Sequence, residues 1–143
     1  MRLFLGISLP DSLRDAASGL QNGLPPGRPV PWDNFHITLV FLGDATDAMA
    51  EELDLALDGM RFVLPEIKLS GLGQFGNAEP RAVWIGVLPV AALEALHRRL
   101  ANTARSVGLE VPRRRFIPHV TLTRFARDTV DPSAVARAFE KRG

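Results

Sequence analysis

NFHITLVFLG, residues 34–43, decides how this chain is read, because IPHVTLTRFA, residues 117–126, restates its centre. The protein has 3 histidines, and two of them open a His-apolar-Thr-Leu tetrapeptide: His36 with Thr38, and His119 with Thr121. In a strand, residues i and i+2 project to one face. In the first copy Phe35, Ile37, Leu39 and Phe41 are therefore expected against a core, with His36, Thr38 and Val40 opposite. In the second, Val120 and Leu122 take the core side while His119 and Thr121 share the other. Each copy offers an imidazole beside a hydroxyl on a non-core face. A single such tetrapeptide is most simply a satisfied histidine beside a β-favouring threonine; two among three histidines favour a function.

The flanking patterns repeat too. Leu3, Leu5, Ile7 and Leu9 alternate with Phe4, Gly6 and Ser8, the period of a half-buried strand. After Pro10, Asp11 is placed to cap a helix carrying Leu13, Ala16, Ala17 and Leu20 on one stripe. NGLPPGRPVP (22–31) breaks that helix, and the His36 strand follows. Thr46 can cap a second helix with Met49, Leu53, Ala56 and Leu57, and Phe62–Ser70 reads as an edge strand interrupted by Pro65. AVWIGV (82–87) is the next strand, and Ala91–Val107 a helix with Leu93, Leu96, Leu100 and Val107, ended by Gly108. The His119 strand follows, and Asp131-Pro132 announces a last helix with Val135, Ala138 and Phe139.

The expectation is an α+β fold formed as one domain over residues 1–143, built from a duplicated unit whose halves span about 1–70 and 81–143. The closing strand expected of the second copy does not appear in this sequence: either it is a shortened form or part of the native protein is missing here. Two lobes related by an approximate two-fold axis would aim both His-Thr pairs into one cleft. There, a neutral imidazole can take a proton from an attacking oxygen while a protonated one supplies the leaving oxygen. Histidine suits both tasks because its ordinary pKa is about 6.5. Threonine hydroxyls can donate to non-bridging oxygens where charge develops, a layout fitted to phosphoryl transfer.

Other chemistries fit less well. With no cysteine there is neither a disulfide framework nor a thiolate metal site, and no acidic residue accompanies either His at ligand spacing. Neither a metal nor a cofactor is expected. GLGQFG (71–76) satisfies a dinucleotide-binding pattern, yet a proline-containing turn and a strand follow where a helix must open, so it reads as a hairpin loop. His97, among helix leucines, reads as a boundary residue. The net charge of +1 gives no global argument for a polyanion, although Arg113, Arg114 and Arg115 form a local basic run. No apolar run reaches the roughly 20 residues of a membrane span, and the N-terminus meets Pro10 and Asp11 in place of a signal-peptide cleavage site. A cytoplasmic monomer is expected.

The paired tetrapeptides resemble the motifs of the 2H phosphoesterase superfamily. RLFLGISLP (2–10), GLGQFGNAEPRAVWIGV (71–87) and RRRFIPHVTLTR (113–124) look more narrowly like the RNA 2′,3′-cyclic phosphodiesterases, historically 2′-5′ RNA ligases. The resemblance covers essentially the whole chain. It implies a bilobal fold and metal-independent opening of a terminal 2′,3′-cyclic phosphate of RNA to a 2′-phosphate, with reverse ligation as an accompanying activity. It further implies His36 as proton donor and His119 as proton acceptor, with Thr38, Thr121 and Arg124 on the phosphate. Strict alternation would put Arg124 on the Leu122 side, so its role requires the strand to end or bulge near Thr123. Phe4 shares a face with Gly6 and Ser8 and could stack a base, against the simpler reading of a packing aromatic. Two alternatives remain: the same cleft acting on small cyclic nucleotides or an ADP-ribose cyclic phosphate, and a non-catalytic nucleotide-binding module.

Overall fold

A computed structural model describes residues 2–76, 78–126 and 130–142. The elements run β1 (Arg2–Ser8), α1 (Asp11–Gln21), β2 (Arg28–Pro29), a 3-10 turn (Trp32–Asn34), β3 (His36–Asp44), α2 (Asp47–Asp58), β4 (Leu69–Phe75), β5 (Ala82–Val87), α3 (Ala91–Ser106), β6 (His119–Arg124) and α4 (Pro132–Arg142). This is the α+β class expected. The chain divides into two compact units, each drawing on both halves of the sequence.

The first unit comprises Met1–Ile7, Thr38–Ile67 and Pro89–Pro118. Within it β1 neighbours β3, and α2 packs on α3. The two helices begin differently: Thr46 Oγ1 accepts from Met49 N–H at 3.2 Å, whereas Val90 caps α3 without a side-chain bond. Leu93, Leu96, Leu100, Ala101 and Ala104 form the buried stripe of α3. Gly108 stops that helix in the left-handed region, φ +95, where a Cβ would be strained. His97 is structural, as expected of a boundary residue. Its Nδ1 contacts the Leu39 carbonyl at 2.6 Å and its ring stacks on Phe116 with 4.3 Å between centroids.

The second unit comprises Ser8–Ile37, Lys68–Leu88 and His119–Gly143. Its centre is β6, which pairs antiparallel with β5 on one edge and with β2 and the start of β3 on the other; β4 pairs with β5. Val83, Phe125 and Val135 cluster under this sheet, with Leu24, Val130 and Phe139 packed around them. The Ser133 N–H donates to Asp131 Oδ1 at 3.0 Å, the cap expected for α4.

Four expectations need correction. Asp11 lies in the first turn of α1, and the cap position belongs to Pro10, which offers no side-chain bond. The strand expected over Phe62–Ser70 forms instead at Leu69–Phe75, and residues 62–68 are irregular. GLGQFG is therefore mostly strand, with the turn beyond it; Asn77 lies outside the described residues. Finally, Phe41 is 64% exposed while Val40 and Leu42 are buried, so the inward-outward alternation of the first motif reverses after Leu39.

Candidate active site

The second histidine motif forms β6, and one irregularity in its pairing determines what it presents. Against β5, Trp84 partners Thr121 and the adjacent Val83 partners Thr123. Leu122 is thus an extra residue, a β-bulge, and beyond it the sidedness of the strand inverts. His119 and Thr121 are half-buried on one face, Val120 and Leu122 are buried on the other, and Thr123 is buried where regular alternation would have turned it outward. Arg124 is returned to the exposed, histidine-bearing side. This meets the condition that the sequence set for its participation.

On its other edge β6 meets the chain twice. Arg28 and Pro29 pair with Arg124 and Thr123, and the Val30 N–H donates to the Leu122 carbonyl at 2.9 Å. The chain then loops out through the 3-10 turn and returns as β3, with Ile37 opposite Val120. One step along this antiparallel register sets His36 opposite Thr121. The loop is held to α1. Gln21 Nε2 donates to the Val30 carbonyl at 2.9 Å and to the Leu122 carbonyl at 2.6 Å. The Trp32 indole N–H donates to Asp15 Oδ1 at 2.9 Å, with the Arg14 guanidinium 5.0 Å over the ring.

Between loop and strand lies a cavity of about 280 Å³, walled by Arg28, Pro29, Val30, Pro31, Asn34, His36, Thr121 and Arg124. Three of the expected site residues, His36, Thr121 and Arg124, meet there; His119 and Thr38 are not among its walls. Thr38 follows His36 by two positions on β3, is half-buried like it, and is the first residue of the other unit.

The two histidines have different surroundings. His36 Nδ1 lies 2.6 Å from the Asn34 carbonyl. A carbonyl only accepts, so Nδ1 carries the hydrogen in this contact. His119 sits against two rings, Phe75 edge-on at 5.1 Å and Trp84 tilted at 5.4 Å between centroids. That arrangement depends on glycine. Gly73 is the cross-strand partner of Trp84, and a Cβ there would come 2.3 Å from an indole carbon. The indole occupies the space that a side chain at position 73 would need.

Arg28, Phe75 and Trp84 were not singled out by sequence. Phe75 and Trp84 stand within the GLGQFGNAEPRAVWIGV stretch; for Arg28 the only cue is its nearness to the first motif. Phe4 is 50% exposed, and Arg113, Arg114 and Arg115 are exposed in the segment before β6. Among the described residues no three His, Cys, Asp or Glu side chains group as metal ligands, and no helix is long and apolar enough to cross a membrane.

The chain is similar to proteins of known identity. It is 38% identical over 101 residues to the RNA 2′,3′-cyclic phosphodiesterase of Aeropyrum pernix, covering 69% of this chain and 57% of that one. It is 35% identical over 133 residues to the Escherichia coli RNA 2′,3′-cyclic phosphodiesterase, covering 90% of this chain and 74% of that protein. A crystal structure of E. coli LigT complexed with 3′-AMP superposes with a TM-score of 0.76 at 34% identity, over 90% of this chain and 75% of that one. The profile of the 2′-5′ RNA ligase superfamily matches residues 9–142, nearly the full length, and the chain belongs to that superfamily.

Proposed function

We propose that this chain is an RNA 2′,3′-cyclic phosphodiesterase working without a metal. Water attacks phosphorus, the bond to the 3′ oxygen breaks, and a 2′-phosphate remains. His119 removes the proton from the attacking water, and His36 delivers one from Nε2 to the departing 3′ oxygen. Thr38, Thr121 and Arg124 hold the non-bridging oxygens, where charge builds in the transition state. A 5′-hydroxyl attacking in place of water would join two RNAs through a 2′-5′ bond by the same steps.

The observation that carries this reading is the antiparallel pairing of Ile37 with Val120, which sets the two histidine tetrapeptides on neighbouring strands. The bond from His36 Nδ1 to a backbone carbonyl fixes the ring's orientation, which supports proton exchange at Nε2 in either direction; the donor role follows the family resemblance. The relatives named RNA 2′,3′-cyclic phosphodiesterase support the substrate, and RNA follows from the chemistry, since the cyclic phosphate needs a 2′ oxygen. The matched tetrapeptides also support descent of one domain from a duplicated unit.

The test is hydrolysis of an RNA ending in a 2′,3′-cyclic phosphate, in excess chelator. Turnover should persist, and His36→Ala or His119→Ala should each reduce kcat by about 10²–10⁴. The double variant should be little worse than the weaker single one, as expected of groups acting in one step. Rates abolished by chelator, or indifferent to either histidine, overturn the proposal. Tight binding of the RNA without turnover would make the chain a binding module. A second reading, a small cyclic nucleotide as substrate, is favoured by the mononucleotide 3′-AMP in the LigT complex. It predicts that lengthening the RNA brings no gain in kcat/KM.

A further inference from the structure

We propose that Arg28, facing Arg124 across β2 and β6, forms a second anion subsite that holds the phosphodiester on the 5′ side of the terminal nucleotide. This rests on the function proposed above and extends it to substrate length. Arg28 and Arg124 are direct cross-strand partners. Such positions hold their Cβ atoms about 5 Å apart, and like charges there are destabilising. The arginines Arg14 and Arg81 have carboxylate partners in Asp33 and Glu79, but neither Arg28 nor Arg124 has one among the described residues. Both line the cavity that His36 and Thr121 also line, and among the described residues no acidic one contributes to its walls.

The arrangement has direction. Thr121 and His36 stand opposite each other at one part of the cavity, and the arginine pair lies three residues further along β6. Arg124 shares a strand with Thr121 and is assigned to the reacting phosphate, which leaves Arg28, from the opposite strand, for a second one. The rim there is Pro29, Val30 and Pro31. Two prolines have fixed φ and no N–H, so the wall is stiff and the positive guanidiniums supply its anion-binding groups. With Arg124 on the cyclic phosphate, a second anion beside Arg28 relieves the repulsion further, and a dinucleotide supplies that second anion where a nucleoside cyclic phosphate does not.

The test compares three substrates: a nucleoside 2′,3′-cyclic phosphate, its 5′-phosphorylated form, and a dinucleotide with one internal phosphodiester and the same cyclic end. Arg28→Ala should lower kcat/KM on the dinucleotide tenfold or more, mainly through KM, and on the unphosphorylated nucleotide threefold or less. Arg28→Lys should recover part of the loss, and the 5′-phosphorylated nucleotide should follow the dinucleotide. The slope of log KM against log salt on the dinucleotide should fall by about 0.7 in Arg28→Ala. Equal losses on all three substrates, or none on any, overturn the subsite. If the native chain turns over none of them, the proposed function fails. The subsite is then read by calorimetry with the 2′-phosphorylated dinucleotide and nucleoside: it stands if Arg28→Ala weakens the dinucleotide tenfold more, and falls if both weaken alike.

Discussion

Replacing Gln21 with methionine would test whether the cavity wall is fixed from α1. The side chain keeps its length and helix propensity, but loses the Nε2 bonds to the Val30 and Leu122 carbonyls, at 2.9 and 2.6 Å. Each such bond contributes about 1 kcal/mol net, and an acceptor left unsatisfied costs about 1–3 kcal/mol. The Leu122 carbonyl keeps the Val30 N–H at 2.9 Å, so the Val30 carbonyl is the one left without its partner, at a part-buried position. The expected loss is therefore about 2–3 kcal/mol. For a chain of this length each kcal/mol lowers the melting temperature by about 3–4 °C, giving a drop of about 6–12 °C by circular dichroism. Because Val30 and Pro31 line the cavity, KM on RNA should rise more than kcat falls. A soluble Gln21→Met protein melting within a degree or two of the native one would refute this account of the wall.

Gly73→Val should push the Trp84 indole off β4 and disturb His119 beside it, costing about 1–3 kcal/mol of stability and lowering kcat more than it alters KM. Trp84→Phe should instead be tolerated, because the Trp84 Nε1 is buried with no acceptor among the described residues; a stability loss above about 2 kcal/mol would contradict that. Thr46→Ala removes the α2 cap and should cost about 1 kcal/mol, read as a small fall in the urea midpoint at unchanged slope. The rate on a cyclic phosphate, with chemistry limiting, should be bell-shaped in pH, as one acid and one base acting in the same step require. A flat profile would contradict paired proton transfer.

Much of the fold was legible because its signals are local. The His36 and His119 strands announce themselves by alternation, and α2, α3 and α4 by a threonine cap, a terminal glycine and an Asp-Pro start. What escaped was non-local. β4 is glycine-rich, and its position is set by pairing with β5 rather than by its own side chains, so the more apolar Phe62–Ser70 segment was the stronger but wrong candidate. β2 is two residues long and contains a proline, tolerable because the strand joins an edge. Nothing in its own composition announces it, and Arg28 was passed over with it. Arg124 was recognised only conditionally, since a bulge is a property of two strands together. Phe41 shows the converse: a perfect local alternation does not guarantee that the same face stays buried along the whole strand.

The extra residue at Leu122 carries a practical lesson for anyone transplanting the second tetrapeptide into a different antiparallel scaffold. Copying His119 through Arg124 onto a regularly paired edge would direct the guanidinium into the recipient's interior, burying a charge beside aliphatic neighbours. The donor segment has to travel with its misaligned partner, Val83-Trp84, or be shortened by one position before the arginine.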